Sequence, residues 1–262
     1  MKIAIIGTGN LGEAIAHGLL KSNAVTTLYL TKRNPAEIQS FESHKGVTVT
    51  ADNSLAVQQS DIVIFAVQPG QLEGILHEIK ELLTDKHVLI STVTGFSIAR
   101  IEAVLGSDHY ILRSMPNTAI SVGKSMTCIA SNEKGKKRIE LTMAIFNRMG
   151  TSIAIPEEQM QAATVICASG IAFWMRLIRA TTQAAIQLGF DAHQAQYMAM
   201  HTCSGASDLL IHNGKHPEEE IDKVTTPKGC TIEGLNEMEH QGLSSSLIKG
   251  MVASFEKINH IA

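Results

Sequence analysis

The hydrophobic pattern of the chain changes character near residue 155. Before it, short apolar runs that end in glycine or polar residues alternate with amphipathic stretches. The runs predict strands at 2–6, 27–30, 47–50, 62–67, 88–92, 110–113, 125–130 and 151–155, and the longer stretches predict helices at 11–21, 71–83, 97–105 and 133–149. Repeated strand–helix units favour an α/β fold in which a parallel sheet carries helices on both faces.

Beyond Pro156 the sequence predicts helices only. Their patterns place them at 157–188, 192–212, 217–223, 227–241 and 244–259. Asp191 suits the N-cap of the second of these helices, with Gln194 at its third position. We therefore expect two domains, a sheet domain at 1–155 and an all-α domain at 156–262. The first two helices are apolar over arcs too wide for one core-facing stripe, so they are expected to bury against a second subunit. That implies a homodimer or a higher homo-oligomer built on dimers.

Composition and charge narrow the classes of function. The 22 Lys and Arg residues against 25 Asp and Glu residues give a net charge of -3 without a long basic block, which disfavours binding to nucleic acid or a membrane surface. The four cysteines show neither CxxC spacing nor a Cys/His cluster, so free thiols and no metal site are expected. We find no signal-peptide pattern and no apolar run of roughly 20 residues, and a cytoplasmic location is the default expectation.

A glycine-rich turn typical of dinucleotide sites follows the first predicted strand. Gly7-Thr8-Gly9-Asn10-Leu11-Gly12 has the GxGxxG spacing and opens a predicted helix, which is the context that gives this motif meaning. Gly7 permits the tight turn, Gly9 lets the backbone approach a pyrophosphate, and Gly12 lets helix and strand pack closely. The N–H groups of the helix then face the phosphates. The motif predicts a Rossmann-type, doubly wound sheet whose six turn residues bind the cofactor.

The end of the second predicted strand indicates which dinucleotide is bound. NAD sites usually place an acid there for the ribose 2′-hydroxyl. This chain has Thr31-Lys32-Arg33 instead, and no acid before Glu37. Cations and hydroxyl donors suit a 2′-phosphate, whereas the alternative reading makes Lys32 and Arg33 solvated surface charges. The pattern favours NADP, with Thr31, Lys32 and Arg33 among its ligands.

Segment 225–235 predicts an anion site from its residue types alone. Thr226 suits a helix N-cap and Pro227 the first helical position. Unpaired N–H groups after them would bind a carboxylate, and Thr231, one turn in, would offer its hydroxyl to a neighbouring nitrogen. The residues with free N–H groups would be Lys228, Gly229 and Cys230. The alternative is a capped surface helix with a solvated Thr231.

Motifs along nearly the whole chain resemble those of the pyrroline-5-carboxylate reductase family. They are the glycine turn with its asparagine, Ala51-Asp52-Asn53, Phe65-Ala66-Val67-Gln68-Pro69, Arg113-Ser114-Met115-Pro116-Asn117-Thr118, and Val224-Thr225-Thr226-Pro227-Lys228-Gly229-Cys230-Thr231-Ile232-Glu233-Gly234-Leu235 after His216-Pro217. The resemblance implies a Rossmann domain followed by a helical domain that interleaves in a homodimer. It also implies NADP as cofactor and reduction of a small cyclic imine acid, 1-pyrroline-5-carboxylate, to proline.

The resemblance assigns roles to individual residues as well. Asn53 would touch the cofactor ribose, segment 65–69 would lie along the cofactor, and Thr231, the catalytic residue, would hydrogen-bond the ring nitrogen. The cofactor ligands it adds are Asn53, Ala66, Val67, Gln68, Pro69, Met115, Pro116 and Asn117, the last three near the nicotinamide. The substrate ligands it implies are Val224, Thr225, Thr226, Lys228, Gly229 and Cys230.

Several positions depart from the family pattern close to the expected substrate. Gln68 replaces the usual lysine, Ala119 a proline, Lys228 a glycine and Cys230 a small residue, and Ile171 lies where Gly-Ser-Gly-Pro-Ala is usual. These departures leave open a different imine, or a non-catalytic NADP-binding regulatory homologue. A hydroxyacid dehydrogenase of the same architecture is a further alternative. That class uses a lysine early in its helical domain, and this chain has no lysine between Lys137 and Lys215.

Overall fold

The computed structural model describes residues 1–23 and 25–259 and confirms the predicted α/β class. Within these residues, eight strands form one sheet in the order β3-β2-β1-β4-β5-β6-β7-β8. The strands are β1 (Lys2–Ile6), β2 (Thr27–Thr31), β3 (Val47–Thr50), β4 (Ile62–Phe65), β5 (Val88–Ser91), β6 (Tyr110–Met115), β7 (Ser125–Ser131) and β8 (Gly150–Ala154). Each lies within one or two residues of the bounds that the apolar runs predict.

The direction of one strand differs from the expected parallel arrangement. β1 to β6 pair in parallel, whereas β7 runs antiparallel to β6, and β8 pairs in parallel with β7. The connection between β6 and β7, residues 116–124, is a short turn-like segment. A parallel crossover requires about a dozen residues or more, so this connection permits only an antiparallel neighbour.

Helices cover both faces of the sheet. Burial on both faces explains why the run of residues in β1 is almost wholly apolar. Ile3 and Ile5 pack on one face with Leu19, whereas Ala4 and Ile6 pack on the other. Alternate side chains of a central strand thus enter two separate cores. The helices of this part are α1 (Asn10–Lys21), α2 (Asn53–Gln58), α3 (Pro69–Ile79), α4 (Ile98–Leu105) and α5 (Ile139–Phe146).

The strand order opens a crevice at one end of the sheet. β1 lies between β2 and β4, so the chain reverses its direction of winding at β1. In open α/β sheets, ligands bind at the carboxyl ends of the strands at this switch point. The glycine turn after β1 lies there.

The chain divides into two compact units after Ser169, inside the helical stretch predicted at 157–188. The described residues up to Ser169 form the first unit together with those from Phe255 to Asn259, and 170–254 form the second. The stretch contains α6 (Met160–Ala163), a π-helical turn at Thr164–Ser169, and α7 (Gly170–Gln187). The sequence does not predict the π-helical turn. The proposed domain boundary at 155/156 stays a prediction.

The second unit consists of helices, as expected. After α7 follow α8 (Ala192–Asn213), α9 (Pro217–Val224), α10 (Cys230–His240) and α11 (Leu243–Asn259), of which the residues from Phe255 on belong to the first unit. Asp191 caps α8 as predicted, because its Oδ1 accepts hydrogen bonds from the N–H groups of His193 and Gln194 at 2.9 and 3.1 Å. Large apolar side chains nevertheless stay open to solvent, among them Leu188 and Ile211, at 80% and 79% exposure.

One helical stretch is more apolar than expected. Glu157–Gln187 spans 31 residues, has a mean hydropathy of 1.4 in its most apolar window and is 22% buried there, so its length and composition meet those of a membrane-spanning helix. This differs from the expectation that no such stretch exists. A helix whose apolar side chains pack against another subunit has the same composition.

Candidate functional site

A cavity of about 570 Å³ lies at the carboxyl ends of β1, β2 and β4. It gathers most of the predicted cofactor ligands, namely Gly7, Thr8, Gly9, Thr31, Lys32, Arg33, Asn53, Ala66, Val67 and Gln68. It is also lined by residues that the sequence did not single out as ligands, namely Ile6, Asn34, Glu37, Ala51, Gln71 and Ile75. The volume is that of a site for a small organic ligand or part of a dinucleotide.

At each of the three glycines of the turn, the absence of a side chain has a different physical reason. Gly7 has φ +92°, and a Cβ there would overlap the side chain of Val67. A Cβ at Gly12 would overlap the carbonyl oxygen of Gly7. A Cβ at Gly9 would meet nothing within 4 Å, so the protein itself does not require a glycine there. Gly9 lines the cavity, and its missing side chain leaves room for a ligand that lies against the backbone, as the pyrophosphate of a dinucleotide does.

The hydroxyl groups beside the turn also fit a ligand. Thr8 is wholly buried, and among the described residues its Oγ1 has no hydrogen-bond partner. A buried hydroxyl without a partner is costly, about 1–3 kcal/mol, which a bound polar group would relieve. Thr31 is buried too, and its Oγ1 accepts a hydrogen bond of 3.2 Å from the N–H of Gly7. Thr31 therefore holds the turn in place as well as lining the cavity.

The charges at the end of β2 are more constrained than the sequence suggests. Lys32 Nζ lies 3.3 Å from Glu13 Oε1 and 3.1 Å from Glu37 Oε2. The hydrogen bond to Glu37 raises the pKa of Lys32, and it lowers the pKa of Glu37. Arg33 is exposed and, in the described part of the chain, makes no ion pair. Of the described residues at this edge, Arg33 is therefore the cation without an ion pair, and it fits a 2′-phosphate.

Two helix starts bring further predicted residues to the cavity. Asp52 Oδ1 accepts a hydrogen bond of 2.9 Å from the N–H of Leu55 and so caps α2. Asn53, the first residue of α2, donates from Nδ2 to Glu78 Oε2 at 3.2 Å. The N–H of Gln68 donates to Gln71 Oε1 at 3.2 Å at the start of α3. The spacing of Gln68 and Gln71, which is that of a capping box, is the signal that could have pointed to Gln71.

The remaining predicted cofactor residues do not line this cavity. Asn10, Leu11 and Gly12 form the first turn of α1, Pro69 is the first residue of α3, and Met115, Pro116 and Asn117 lie at the end of β6. Asn117 is fixed by its neighbours. Its Oδ1 accepts a hydrogen bond of 2.9 Å from the N–H of Ala119, and its Nδ2 donates to the carbonyl of Cys167 at 2.8 Å. Their contacts with a cofactor stay predictions.

The structure corrects the prediction about where helix α10 begins. Thr226 is not the N-cap and Pro227 is not in the first turn, because α10 begins at Cys230 with Gly229 as its N-cap. The carbonyl of Thr226 instead accepts a hydrogen bond of 2.9 Å from the N–H of Gly229, and Lys228 has φ +61°. Proline followed by a residue of positive φ is typical of a type II turn. The turn therefore replaces the first turn of the predicted helix.

The new register shifts the expected anion site along the chain. The first N–H groups of α10 belong to Cys230, Thr231 and Ile232, so Lys228 and Gly229 lie outside the helix and the N–H of Gly229 is already used. Thr231 is half-buried at the second helical position, not one turn in. Of the other predicted substrate residues, Val224 ends α9 and Thr225 donates from Oγ1 to the carbonyl of Asp222 at 3.1 Å. The roles of segment 224–231 in binding and catalysis stay predictions.

Comparison with known proteins covers both halves of the chain. Residues 157–261 match the family described as pyrroline-5-carboxylate reductase dimerisation, and residues 2–95 match the family described as NADP oxidoreductase, coenzyme F420-dependent. Two relatives from Dictyostelium discoideum, pyrroline-5-carboxylate reductases 1 and 2, are 46% and 43% identical, each over 97% of this chain. The chain spans 49% of the length of the first and 91% of the second.

Solved structures agree with this assignment. A pyrroline-5-carboxylate reductase from Coxiella burnetii superimposes with a TM-score of 0.91 at 28% identity, over 100% of this chain and 98% of that one. A pyrroline carboxylate reductase from Plasmodium falciparum with NADP bound has a TM-score of 0.87 at 25% identity, over 98% and 97% of the two chains. The resemblance drawn from the motifs is thereby confirmed, and the chain belongs to the pyrroline-5-carboxylate reductase family.

Proposed function

We propose that this chain reduces 1-pyrroline-5-carboxylate to proline with NADPH. The observation that carries the proposal is the cavity at the switch point of a chain of this family, where the glycine turn, the hydroxyl of Thr8 and the guanidinium of Arg33 converge. Within the described part of the chain, that hydroxyl has no hydrogen-bond partner and that guanidinium no ion pair. When bound there, NADPH supplies the hydride. The relatives' names support the substrate.

The residues of the chain have distinct parts in this reaction. The glycine turn and the first turn of α1 hold the pyrophosphate, and Arg33 pairs with the 2′-phosphate. The free N–H groups at the start of α10 bind the substrate carboxylate, and the hydroxyl of Thr231 orients the ring nitrogen. A cyclic imine is basic enough to be protonated in part near neutral pH, so the protein needs no strong side-chain acid. Its main contribution is to position the ring and exclude water.

The reaction is tested directly by measuring the oxidation of NADPH through the loss of its absorbance. We expect rapid loss of absorbance with 1-pyrroline-5-carboxylate, slower loss with six-membered cyclic imines, and none with keto acids. A chain that reduced only the keto acids would instead be a hydroxyacid dehydrogenase. NADPH binding without any turnover would identify a regulatory homologue.

Substitution of Thr231 tests its proposed part. Thr231→Ala should lower kcat/KM about tenfold or more, which corresponds to about 1.4 kcal/mol of transition-state binding. Thr231→Ser keeps the hydroxyl and should retain most of the activity, and both variants should bind NADPH equally well. Unchanged kinetics in Thr231→Ala would remove the hydroxyl from the mechanism.

We further propose that the chain forms a homodimer through its helical half. The match of 157–261 to a dimerisation family supports homo-oligomerisation. The large exposed apolar side chains of α7 and α8, including Trp174, Met175 and Tyr197, form the kind of surface that marks a protein interface. Size-exclusion chromatography with light scattering should give twice the chain mass or an even multiple of it. A stable monomer at micromolar concentration would contradict the proposal. The cytoplasmic location stays a prediction.

A further inference from the structure

Two cysteines meet beside the end of β6. Cys128 on β7 is buried, Cys167 in the π-helical turn is partly exposed, and their sulfur atoms lie 3.7 Å apart. Both thiols are free and belong to the first unit, where they share a small apolar cluster with Met115 and Met160. A disulfide has its sulfur atoms about 2.05 Å apart, so the pair must approach by only ~1.7 Å more.

We propose that Cys128 and Cys167 form a peroxide-sensitive thiol pair, which closes to a disulfide and lowers the activity of the neighbouring site. The geometry supplies an asymmetric pair, with one buried and one accessible sulfur in contact. That is the arrangement of a reactive thiol next to a resolving thiol. The part of the proposal that concerns activity rests on the proposed reductase function, whereas closure of the disulfide does not.

The chemistry divides between the two sulfurs. The hydrogen bond from the Cys128 thiol lowers the pKa of Cys167, and the same contact, with burial, raises the pKa of Cys128. The Cys167 thiolate attacks one oxygen of a peroxide, the O–O bond breaks, and sulfenic acid forms. The hydroxide or alkoxide that leaves takes up from solvent the proton that Cys167 lost on ionisation, and is released as water or an alcohol. The Cys128 sulfur then attacks the Cys167 sulfur. The S–S bond forms, the S–O bond breaks, and the hydroxide leaves as water with the Cys128 proton. The two thiols give two electrons to the peroxide.

Both cysteines connect directly to residues that the family resemblance places near the nicotinamide. The backbone carbonyl of Cys167 accepts the 2.8 Å hydrogen bond from Asn117 Nδ2. Cys128 lies directly opposite Met115 in the antiparallel pairing of β6 and β7, so the two side chains share one face of the sheet. Closure of the disulfide would pull the π-helical turn toward β7 and shift the anchor of Asn117.

The disulfide can be detected without substrate. The full-length protein is freed of reductant, treated with hydrogen peroxide, alkylated and digested with trypsin without reduction. Trypsin releases Cys128 in peptide 125–134 and Cys167 in peptide 149–176. We expect these two peptides linked, with a mass two hydrogens below their sum. Sulfenic or sulfinic acid at Cys167 without this link, or links that involve other cysteines instead, would overturn the proposal.

Activity gives the second readout. Peroxide should lower imine-dependent NADPH oxidation about tenfold, because a displacement on the order of 1 Å in a positioning contact costs rates of at least that size. Dithiothreitol should restore it. Cys167→Ser and Cys128→Ala should each lose the reversible inhibition, measured against the same variant before treatment, whereas Cys203→Ser should keep it. Equal reversible inhibition in Cys167→Ser would overturn the regulatory claim. An untreated protein without turnover would count against the reductase function alone, and the peptide link would still test the thiol pair.

Discussion

Removal of the guanidinium at Arg33 should weaken the binding of NADPH and leave the binding of NADH almost unchanged. Arg33 lies at the cavity edge and forms no ion pair in the described part of the chain, whereas Lys32 is shared by Glu13 and Glu37. Among the described residues near the end of β2, Arg33→Ala thus removes the cation that no ion pair occupies and that is available to a 2′-phosphate. It leaves the glycine turn and its hydrogen bond to Thr31 intact.

The size of the effect follows from the exposure of this side chain. Hydrogen bonds to charged groups contribute about 1.5–3 kcal/mol, and the lower part of that range applies because Arg33 is exposed and screened by solvent. A loss of about 1.5–2 kcal/mol weakens NADPH binding by about 10- to 30-fold. NADH has no 2′-phosphate, so its affinity should change by less than about twofold, within the small energies typical of surface substitutions.

Titration of the quenching of Trp174 fluorescence or of NADPH emission, at fixed ionic strength, measures both dissociation constants. Lys86→Ala is the matched control, because it removes an exposed positive charge just before β5, at the opposite end of the sheet from the cavity. Its affinities should equal those of the unaltered chain. Equal losses for NADPH and NADH in Arg33→Ala, or no loss for either, would refute the assignment of Arg33 to the 2′-phosphate.

Three more predictions test the geometry. Gly9→Val should leave the free energy of unfolding, measured with urea, within about 0.5 kcal/mol of the original, as for other surface changes, but abolish detectable NADPH binding. Gly7→Ala should destabilise the fold itself, and the opposite pattern would show that Gly9 is structural. Lys228→Gly should stabilise the chain by up to about 1 kcal/mol, because a left-handed residue other than glycine is strained, and a lower midpoint would contradict this. Glu157→Ala should lower the free energy of unfolding by about 3 kcal/mol, because Glu157 Oε1 accepts hydrogen bonds from the buried Arg113, at 3.0 Å, and from the N–H of Ile98. Glu158→Ala, at the exposed neighbour, is the control. Equal urea midpoints for these two variants would remove the ion pair from the stability argument.

Local patterns in the sequence were sufficient for much of this molecule. The apolar runs predict the positions of all eight strands. For β1, β4 and β5 the reason is plain, because a strand buried on both faces is apolar throughout. The spacing of Gly7, Gly9 and Gly12 predicts the cofactor turn, because the tight turn, the approach of a pyrophosphate and the packing of helix on strand each place a glycine at a set distance along the chain. The cap at Asp191 is equally local, since its acceptor and donors lie within three residues of each other.

Other features depend on partners distant in the chain, and no local pattern shows them. The ion pairs of Lys32 join the end of β2 to α1 and to Glu37 beyond the strand, whereas Arg33 has no ion pair with any residue that the structure describes. Cys128 and Cys167, far apart in sequence, meet only because the π-helical turn packs on β7. Lys228 illustrates a competition: Thr226 and Pro227 suit a helix start, but the same residues suit a type II turn, and the turn prevails.

The sequence by itself thus determined the α/β class, the glycine turn and the family, because periodicity and backbone geometry act over a few residues. Tertiary structure decided the direction of β7, the partner of each charge around the cavity and the contact between the two thiols. These features depend on which surfaces come together after the chain folds, and their energies arise between side chains that the sequence leaves far apart.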